Sequence, residues 1–144
     1  MLKWDDVIDV IDRALAEDVR DGDVTTVWTI PATKLARAEF IARADGVVAG
    51  LDVAKWVFER VDDTIVFDVL MSDGDVIKPG DVMAVVSGSA RGLLTAERTA
   101  LNFMQRMSGI ATMTAAFVKQ VEGTTARILD TRKTAPGMRA LDKY

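Results

Sequence analysis

The stretch Asp130-Thr131-Arg132-Lys133-Thr134 follows the apolar pair Ile128-Leu129 and precedes Pro136-Gly137. The residue types before it predict a short strand over 126–129, and the proline and glycine exclude its continuation. In α/β folds, strand ends of this kind carry binding sites. Two hydroxyls, a planar guanidinium and a compact ammonium favour the binding of two adjacent anionic groups. Taken alone, the pattern fits a solvated loop equally well.

Charge is distributed unevenly along the chain. Residues 1–90 carry a net charge of −9 and residues 91–144 a net charge of +5, so the C-terminal third is basic although the whole chain has −4. A basic region of this kind indicates either a nucleic-acid surface or a pocket for small anions. Only three aromatic residues follow Arg91, which gives little support for base stacking. We therefore expect small anionic ligands and no nucleic acid.

The composition limits the available chemistry. The 144 residues are 49% apolar, enough for one ordinary globular core. There is no cysteine and no histidine, which excludes disulfides, thiolate chemistry and the commonest general base. No apolar run approaches the ~18 residues of a membrane span, and no leader pattern is present. We expect a cytoplasmic protein without membrane association.

Apolar periodicity predicts the elements of the first ninety residues. Trp4 to Leu15 has helical spacing, with Asp5 or Asp6 as a possible cap, and the helix should stop before Asp21-Gly22-Asp23. Residues 35–44 alternate as in a half-buried strand, with one face packed and one wet. The remaining predicted elements are a helix around Val53 to Phe58 and a small antiparallel sheet formed by 65–70, 76–77 and 82–86.

The pattern becomes helical from Gly92. We predict one helix to Met107, a break at Ser108-Gly109, and a second helix from Ile110 to Val121 that Gly123 ends. The predicted domain boundary lies at this break, which gives an N-terminal domain over 1–108 and a second part over 109–144.

Four polar residues share one face of the helix that begins at Gly92, because they are spaced seven, four and three residues apart. An ordinary solvated stripe is the more frequent explanation of such a face. The alternative is that Arg98 reaches a ligand, since an arginine holds a carboxylate or phosphate bidentately. The four residues are Arg91, Arg98, Asn102 and Gln105.

Two further patterns have weaker functional interpretations. The turns around Lys78 resemble those of biotinyl or lipoyl carriers, but Lys78 sits beside Pro79 without the apolar flanks of a carrier lysine. The aspartates could be calcium ligands, yet no twelve-residue loop with a terminal glutamate is present. Turn chemistry is the simpler explanation for Asp21, Asp23, Asp73, Asp75 and Asp81.

Four stretches together resemble the quinolinate phosphoribosyltransferases, also called carboxylating nicotinate-nucleotide pyrophosphorylases. Their order and spacing match across essentially the whole chain. They are Ala14 to Asp18 with Gly22 to Thr26; Gly46 to Gly50; Ala96 to Phe103 with Ser108 to Thr112; and Asp130 to Thr134 with Pro136 to Arg139.

The resemblance implies an N-terminal open α/β sandwich, of mixed α+β and α/β class, followed by the beginning of an α/β barrel. In this family, quinolinate and phosphoribosyl pyrophosphate, with magnesium, give nicotinate mononucleotide, pyrophosphate and carbon dioxide for NAD biosynthesis. Thr131, Arg132 and Lys133 would hold the quinolinate carboxylates, with Arg132 and Lys133 in catalytic roles. Arg98 would reach the same pocket from the other subunit of a homodimer.

Members of the family have about as many residues again after the position that corresponds to Tyr144. We therefore expect the 144 residues alone to be an N-terminal fragment that is inactive and self-associates. We expect the magnesium ligands to lie outside it. A single barrel strand cannot close a barrel and leaves an unpaired edge. Two alternatives remain open. One is a molybdenum-associated paralogue of the same fold, and the other is a dimerising structural module without activity.

Overall fold

The computed structural model describes residues 2–20, 22 and 24–144 and has the architecture of an open α/β sandwich. Helices and sheets are mixed, and no barrel is closed within these ranges. The helices are α1 (Trp4–Val19), α2 (Val24–Thr29), α3 (Leu51–Val61), α4 (Ala90–Gln120) and α5 (Arg139–Lys143). The strands are β1 (Leu35–Ile41), β2 (Gly46–Val47), β3 (Val66–Val69), β4 (Val76–Ile77) and β5 (Val82–Ser89).

The five strands form two separate antiparallel sheets. One sheet has the order β1-β5-β3, and the other pairs β2 with β4. The antiparallel prediction for 65–86 is confirmed for β3 and β5, but the inclusion of β4 in that sheet was wrong. The turn before β4 folds onto the run after β2, where Gly74 N–H donates to Val48 O at 2.8 Å. A two-residue strand has too little pattern to reveal its partner.

The core lies between the β1-β5-β3 sheet and the helices α3 and α4. Phe40, Phe58 and Phe67 pack in edge-to-face and tilted contacts with ring centroids 5.4 to 5.9 Å apart. The predicted apolar face of α3 is confirmed, because Val53, Ala54, Val57 and Phe58 are all buried. Each large side chain so buried contributes about 1.5–3 kcal/mol.

The alternation predicted for β1 is confirmed only at its end. Phe40 is buried, but Ala36 and Ala38, which share its face, are exposed. β1 is an edge strand, and only its carboxyl end reaches the buried core. The strand ends at Ile41 rather than at 44, after a shift of register between Phe40 and Ile41.

Helix α1 confirms the first predicted helix and ends before position 21. Its N-terminal cap is Lys3 without a side-chain hydrogen bond, so capping by Asp5 or Asp6 was wrong. Both carboxylates lie in the first turn, where they favour the helix dipole. Positions 21 and 23 of the predicted turn lie outside the described residues. The short α2 was not predicted.

Helix α4 is continuous over 31 residues, so the predicted break at Ser108-Gly109 was wrong. Ser108 Oγ accepts from Ala49 N–H at 3.0 Å and donates to Ala49 O at 3.2 Å. Four residues later, Thr112 Oγ1 accepts from Val47 N–H at 2.9 Å. These contacts hold the helix against the β2 segment, and their packing outweighs the cost of about 1 kcal/mol for a glycine in a helix.

The second half of α4 leaves large apolar side chains in solvent, with Met113, Phe117 and Val118 all exposed. Residues 126–129 have no regular secondary structure and are unpaired, so the predicted strand does not form among the described residues. Leu129 is 81% exposed. A strand gains its stability from pairing, and no described strand lies alongside this one. Within the same described ranges, no helix is both long and apolar enough to cross a membrane.

Candidate functional site

The segment that carries Thr131, Arg132 and Lys133 lies at the surface, and all three residues are exposed. Lys133 N–H donates to Thr131 Oγ1 at 3.2 Å, which turns the chain locally. At the start of the segment, Lys143 Nζ lies 2.7 Å from Asp130 Oδ2. An exposed ion pair thus contacts the segment at its amino end, while the Arg132 guanidinium and the Lys133 ammonium stay accessible to a ligand.

Thr131 and Lys133 line a cavity of about 790 Å³ that also reaches the C-terminal half of α4. Its apolar side includes Ile110, Ala111 and Val118, and its polar side includes Asp73 and Tyr144. Arg132 is not among the residues that line it. A planar ring with carboxylates would find an apolar wall beside fixed hydroxyl and ammonium donors in such a cavity.

Tyr144 and Asp73 form the polar end of this cavity. Asp73 accepts from Gly50 N–H at 2.9 Å and from Leu51 N–H at 3.1 Å, at the start of α3. Burial, together with the negative charge and hydrogen bond of Asp73, raises the pKa of Tyr144 to about 12. The phenol therefore stays protonated at neutral pH.

Arg98 lines a different cavity, of about 920 Å³, between α1, α4 and the turn at 136–138. Its side chain is 74% exposed, and its Nη1 lies 3.2 Å from Asp18 Oδ1. Four arginines and two carboxylates face this cavity, so its net charge favours an anion. These six residues are Arg13, Arg20, Arg98, Arg106, Glu17 and Asp18.

The structure does not bring Arg98 together with Thr131 and Lys133, because the two groups line different cavities of the same chain. One ion pair links the two regions. Arg106 lines the Arg98 cavity and pairs with Asp142, which lines the other. The asparagine of the predicted polar face, Asn102, also lines the Arg98 cavity.

Arg91, although it shares the predicted face with Arg98, has a structural role. Its Nε donates to Ile30 O at 2.8 Å and its Nη2 to Val27 O at 2.9 Å. These bonds hold α2 and the residue after it against the start of α4. The solvated-stripe interpretation therefore fails for Arg91, since its guanidinium donates to backbone carbonyls within the chain.

Sequence reasoning missed Arg13, Arg20, Arg106 and Asp142. The first two belong to α1 or directly follow it, and only the folded chain brings them to α4. Arg106 lies eight residues after Arg98, about 80° further round the helix, so both side chains fall on the same half of its surface. That spacing was the available signal for Arg106. Nothing local marks Asp142.

Two of the aspartates proposed as turn residues, Asp75 and Asp81, serve turns, whereas the Asp73 carboxylate binds the start of α3 instead. Asp75 Oδ2 accepts from Ser72 N–H at 2.8 Å, and Asp81 Oδ2 accepts from Lys78 N–H at 2.8 Å. Among residues 2–20, 22 and 24–144, no cluster of three or more His, Cys, Asp or Glu could hold a metal ion.

Profiles of known protein families match both parts of the chain. The quinolinate phosphoribosyl transferase N-terminal domain matches residues 23–108, and the C-terminal domain of the same family matches residues 110–144. The nicotinate-nucleotide pyrophosphorylase [carboxylating] of Mycobacterium leprae is 48% identical over 99% of this chain and 51% of its own length. The chloroplastic protein of that name from Oryza sativa is 49% identical over 94% of this chain and 36% of its own.

Solved structures agree with the sequence relatives. NadC from Streptococcus pyogenes superposes with a TM-score of 0.96 at 39% identity, over 100% of this chain and 51% of that chain. The nicotinate-nucleotide pyrophosphorylase from Francisella tularensis gives a TM-score of 0.93 at 35% identity, also over 100% and 51%.

The open sandwich is thus the N-terminal domain fold of NadC proteins. This chain belongs to the quinolinate phosphoribosyltransferase family. It spans about half the length of the Mycobacterium leprae relative.

Proposed function

We propose that this chain supplies quinolinate-binding residues to an enzyme that converts quinolinate and phosphoribosyl pyrophosphate to nicotinate mononucleotide, pyrophosphate and carbon dioxide. The observation that carries the proposal is the exposed Thr131-Arg132-Lys133 segment beside an open cavity, in a chain whose relatives are named for this reaction. The enzyme is a pentosyltransferase of NAD biosynthesis. A cytoplasmic location is part of the proposal, and cell fractionation tests it.

Charge positioning is the main chemical contribution of these residues. Arg132 and Lys133 hold the two carboxylates of quinolinate, so that the ring nitrogen faces C1 of the ribose. The nitrogen lone pair forms the new bond to C1 as the bond to pyrophosphate breaks. The bond between the ring and the carboxylate next to the nitrogen then breaks, carbon dioxide leaves, and the ring carbon takes up a proton from water. These 144 residues contain no histidine, so they contribute positioning and not proton transfer by an imidazole.

Magnesium belongs to the proposal as the ion that accompanies the pyrophosphate group. No cluster among the described residues fits it, so the roles given to Arg132, Lys133 and Arg98 do not depend on the ion. Removal of magnesium by a chelator should abolish turnover but leave quinolinate binding intact, and calorimetry with and without the chelator checks this.

The proposed assembly is a homodimer in which Arg98 of each subunit completes the site of its partner. Two features support it: Arg98 is 74% exposed, and it lines a cavity separate from that of Thr131 and Lys133. Mixing Arg98→Ala and Arg132→Ala subunits should restore roughly a quarter of the activity, because half of the dimers then contain one intact site. Mixtures that stay inactive would show that each chain completes its own site.

Titration calorimetry of the complete gene product with quinolinate tests the binding role. Arg132→Ala should lose a charge-assisted contact of about 1.5–3 kcal/mol, which weakens binding at least about tenfold. Arg37→Ala is the matched control, because Arg37 is an exposed arginine of β1 that pairs only with Glu39. No quinolinate binding, or equal affinities for both variants, would favour a structural module or a different ligand.

A further inference from the structure

The pair Arg106 and Asp142 joins the middle of α4 to the short helix α5. Arg106 Nε donates to Asp142 Oδ1 at 2.8 Å, and Arg106 Nη2 donates to Asp142 Oδ2 at 2.9 Å. This fork-to-fork geometry fixes both distance and orientation. The Asp142 side chain is only 8% exposed, so its carboxylate is shielded from solvent, whereas the Arg106 side chain is 41% exposed. The pair therefore ties α5 to a helix that is itself held by the core.

The same carboxylate also holds the chain that follows the candidate binding residues. Ala135 N–H donates to Asp142 Oδ2 at 3.0 Å, and Ala135 is the second residue after Lys133. Two backbone bonds complete the loop, from Met138 N–H to Ala135 O and from Asp142 N–H to Met138 O. Asp142 thus accepts hydrogen bonds from α4 and from the end of the segment at the same time.

Few other contacts fix this segment. Residues 126–133 are all exposed, and they pair with no described strand. At the amino end, the Lys143–Asp130 pair involves a carboxylate that is 57% exposed, and such pairs contribute little. Leu141 is buried and anchors α5, but its apolar side chain offers the segment no hydrogen bond. The shielded carboxylate of Asp142 is therefore the principal polar anchor at the carboxyl end.

We propose that Asp142, held by Arg106, is a positioning residue that sets the placement of Arg132 and Lys133 for quinolinate. The inference rests on the proposed function of those two residues. Asp142 acts through the backbone of Ala135, and Arg106 acts through Asp142. Neither needs to touch the ligand. Loss of the carboxylate charge frees the segment, so that ligand binding must then order it and affinity falls.

The chain contains a control pair with similar hydrogen-bond geometry and a more exposed carboxylate, since the Asp12 side chain is 42% exposed. Arg60 Nε donates to Asp12 Oδ1 at 2.6 Å, and Arg60 Nη2 donates to Asp12 Oδ2 at 3.1 Å. This pair also joins two helices, α1 and α3, with nearly the same geometry, but it makes no contact with the segment. A variant of Asp12 therefore measures what the loss of a forked ion pair does when positioning is not involved.

The experiment compares Asp142→Asn with Asp12→Asn in the complete gene product. Asp142→Asn should raise KM for quinolinate about tenfold and leave KM for phosphoribosyl pyrophosphate within about threefold, and Asp12→Asn should change neither. Amide hydrogen exchange of residues 131–135 should also quicken in Asp142→Asn, while the buried part of α4 stays protected. Equal effects of the two variants on KM for quinolinate would overturn the positioning role.

Two further measurements separate positioning from folding and from the proposed function. Asp142→Glu keeps the carboxylate and should recover part of the quinolinate affinity, whereas failure to exceed Asp142→Asn would contradict a role for the charge. Arg106→Gln added to Asp142→Asn should weaken binding by less than a further twofold or so, because the two act as one unit. If the unsubstituted protein does not bind quinolinate, the proposed function fails and takes the positioning role with it.

Discussion

Asp18, in the last turn of α1, accepts a hydrogen bond from the exposed Arg98 guanidinium at 3.2 Å. The pair connects α1 to the middle of the α4 surface. Its carboxylate is 23% exposed and its guanidinium 74% exposed, so solvent screens the interaction. The bond to Asp18 orients the Arg98 guanidinium, and its remaining N–H groups stay available to a ligand.

Substitutions of Arg98 and of Asp18 should affect quinolinate affinity differently. Arg98→Gln should weaken quinolinate binding at least about tenfold, because a charge-assisted contact is lost. Asp18→Asn should change the affinity by less than about threefold, since an exposed ion pair is worth about 0–1 kcal/mol. Titration calorimetry of the complete gene product compares the two. Equal losses would mean that the ion pair, and not the arginine alone, is required.

The continuity of α4 gives a stability prediction. An added Cβ at Gly109 would meet nothing within 4 Å, so Gly109→Ala should stabilise the 144-residue chain by about 0.5–1 kcal/mol. Gly92 in the same helix is the control, because its Cβ would lie 3.0 Å from Ile65 Cδ1 and cancel the gain. Urea denaturation measures both. Destabilisation by Gly109→Ala would indicate that the helix bends at this point.

Alanine substitutions of Gly50 and Gly74 measure how much stability depends on the close approach of the backbone at position 50 to α4. Both have left-handed backbone angles, with φ of +97° and +99°. A Cβ at Gly50 would lie 2.8 Å from Met107 Sδ, whereas one at Gly74 would meet nothing within 4 Å. Gly74→Ala should cost about 1–2 kcal/mol for its backbone, and Gly50→Ala should cost about 1–3 kcal/mol more for packing.

The same denaturation measurement checks the Gly50 and Gly74 variants in the 144-residue chain. Equal losses of stability in the two variants would show that Met107 moves aside without cost. The close approach of α4 would then not require a glycine at position 50.

Tyr144 is the only tyrosine in the sequence, so its ionisation is observed directly by ultraviolet absorbance. The phenol should ionise near pH 12 in the folded chain, compared with about 10 when the chain is unfolded in guanidinium. Because the pKa of Tyr144 is higher in the folded chain, the favourable contribution of the protonated phenol to the free energy of unfolding is fully present below pH 10. This contribution is lost as the pH rises toward 12.

Asp73→Asn is the variant that tests the cause of the Tyr144 shift. It should lower the pKa of Tyr144 only part of the way toward its ordinary value, because burial is the larger cause and remains. A return to the unfolded value would mean that the Asp73 charge is the whole cause, and no change would mean that burial alone acts.

Periodicity predicted the elements whose stability is mainly local. The predictions of the apolar faces of α1 and α3 and of the strands β3 and β5 were correct, because a regular pattern survives when one side packs on the core. The break at Ser108-Gly109 was wrong, since the bonds from Ser108 to Ala49 are tertiary and leave no mark on the local pattern. The pairing of β2 with β4 was not predicted for the same reason, because it depends on tertiary contacts.

The candidate site divides in the same way. Arg98 and the Thr131-Arg132-Lys133 segment were found because each lies in one continuous motif. Arg13 and Asp142 were not, because only folding brings α1 and α5 against α4. The ligand roles, the homodimer and the domain boundary at residue 108 stay predictions.

Helix α4 carries Arg98 and Arg106 eight residues apart without interruption, which places them about 12 Å apart along its axis. Deletion of one residue between them would rotate Arg98 by about 100° relative to Arg106. The arginine would then leave its cavity, although every side chain of the motif was still present. The interval from 98 to 106 should therefore tolerate substitutions far better than changes of length.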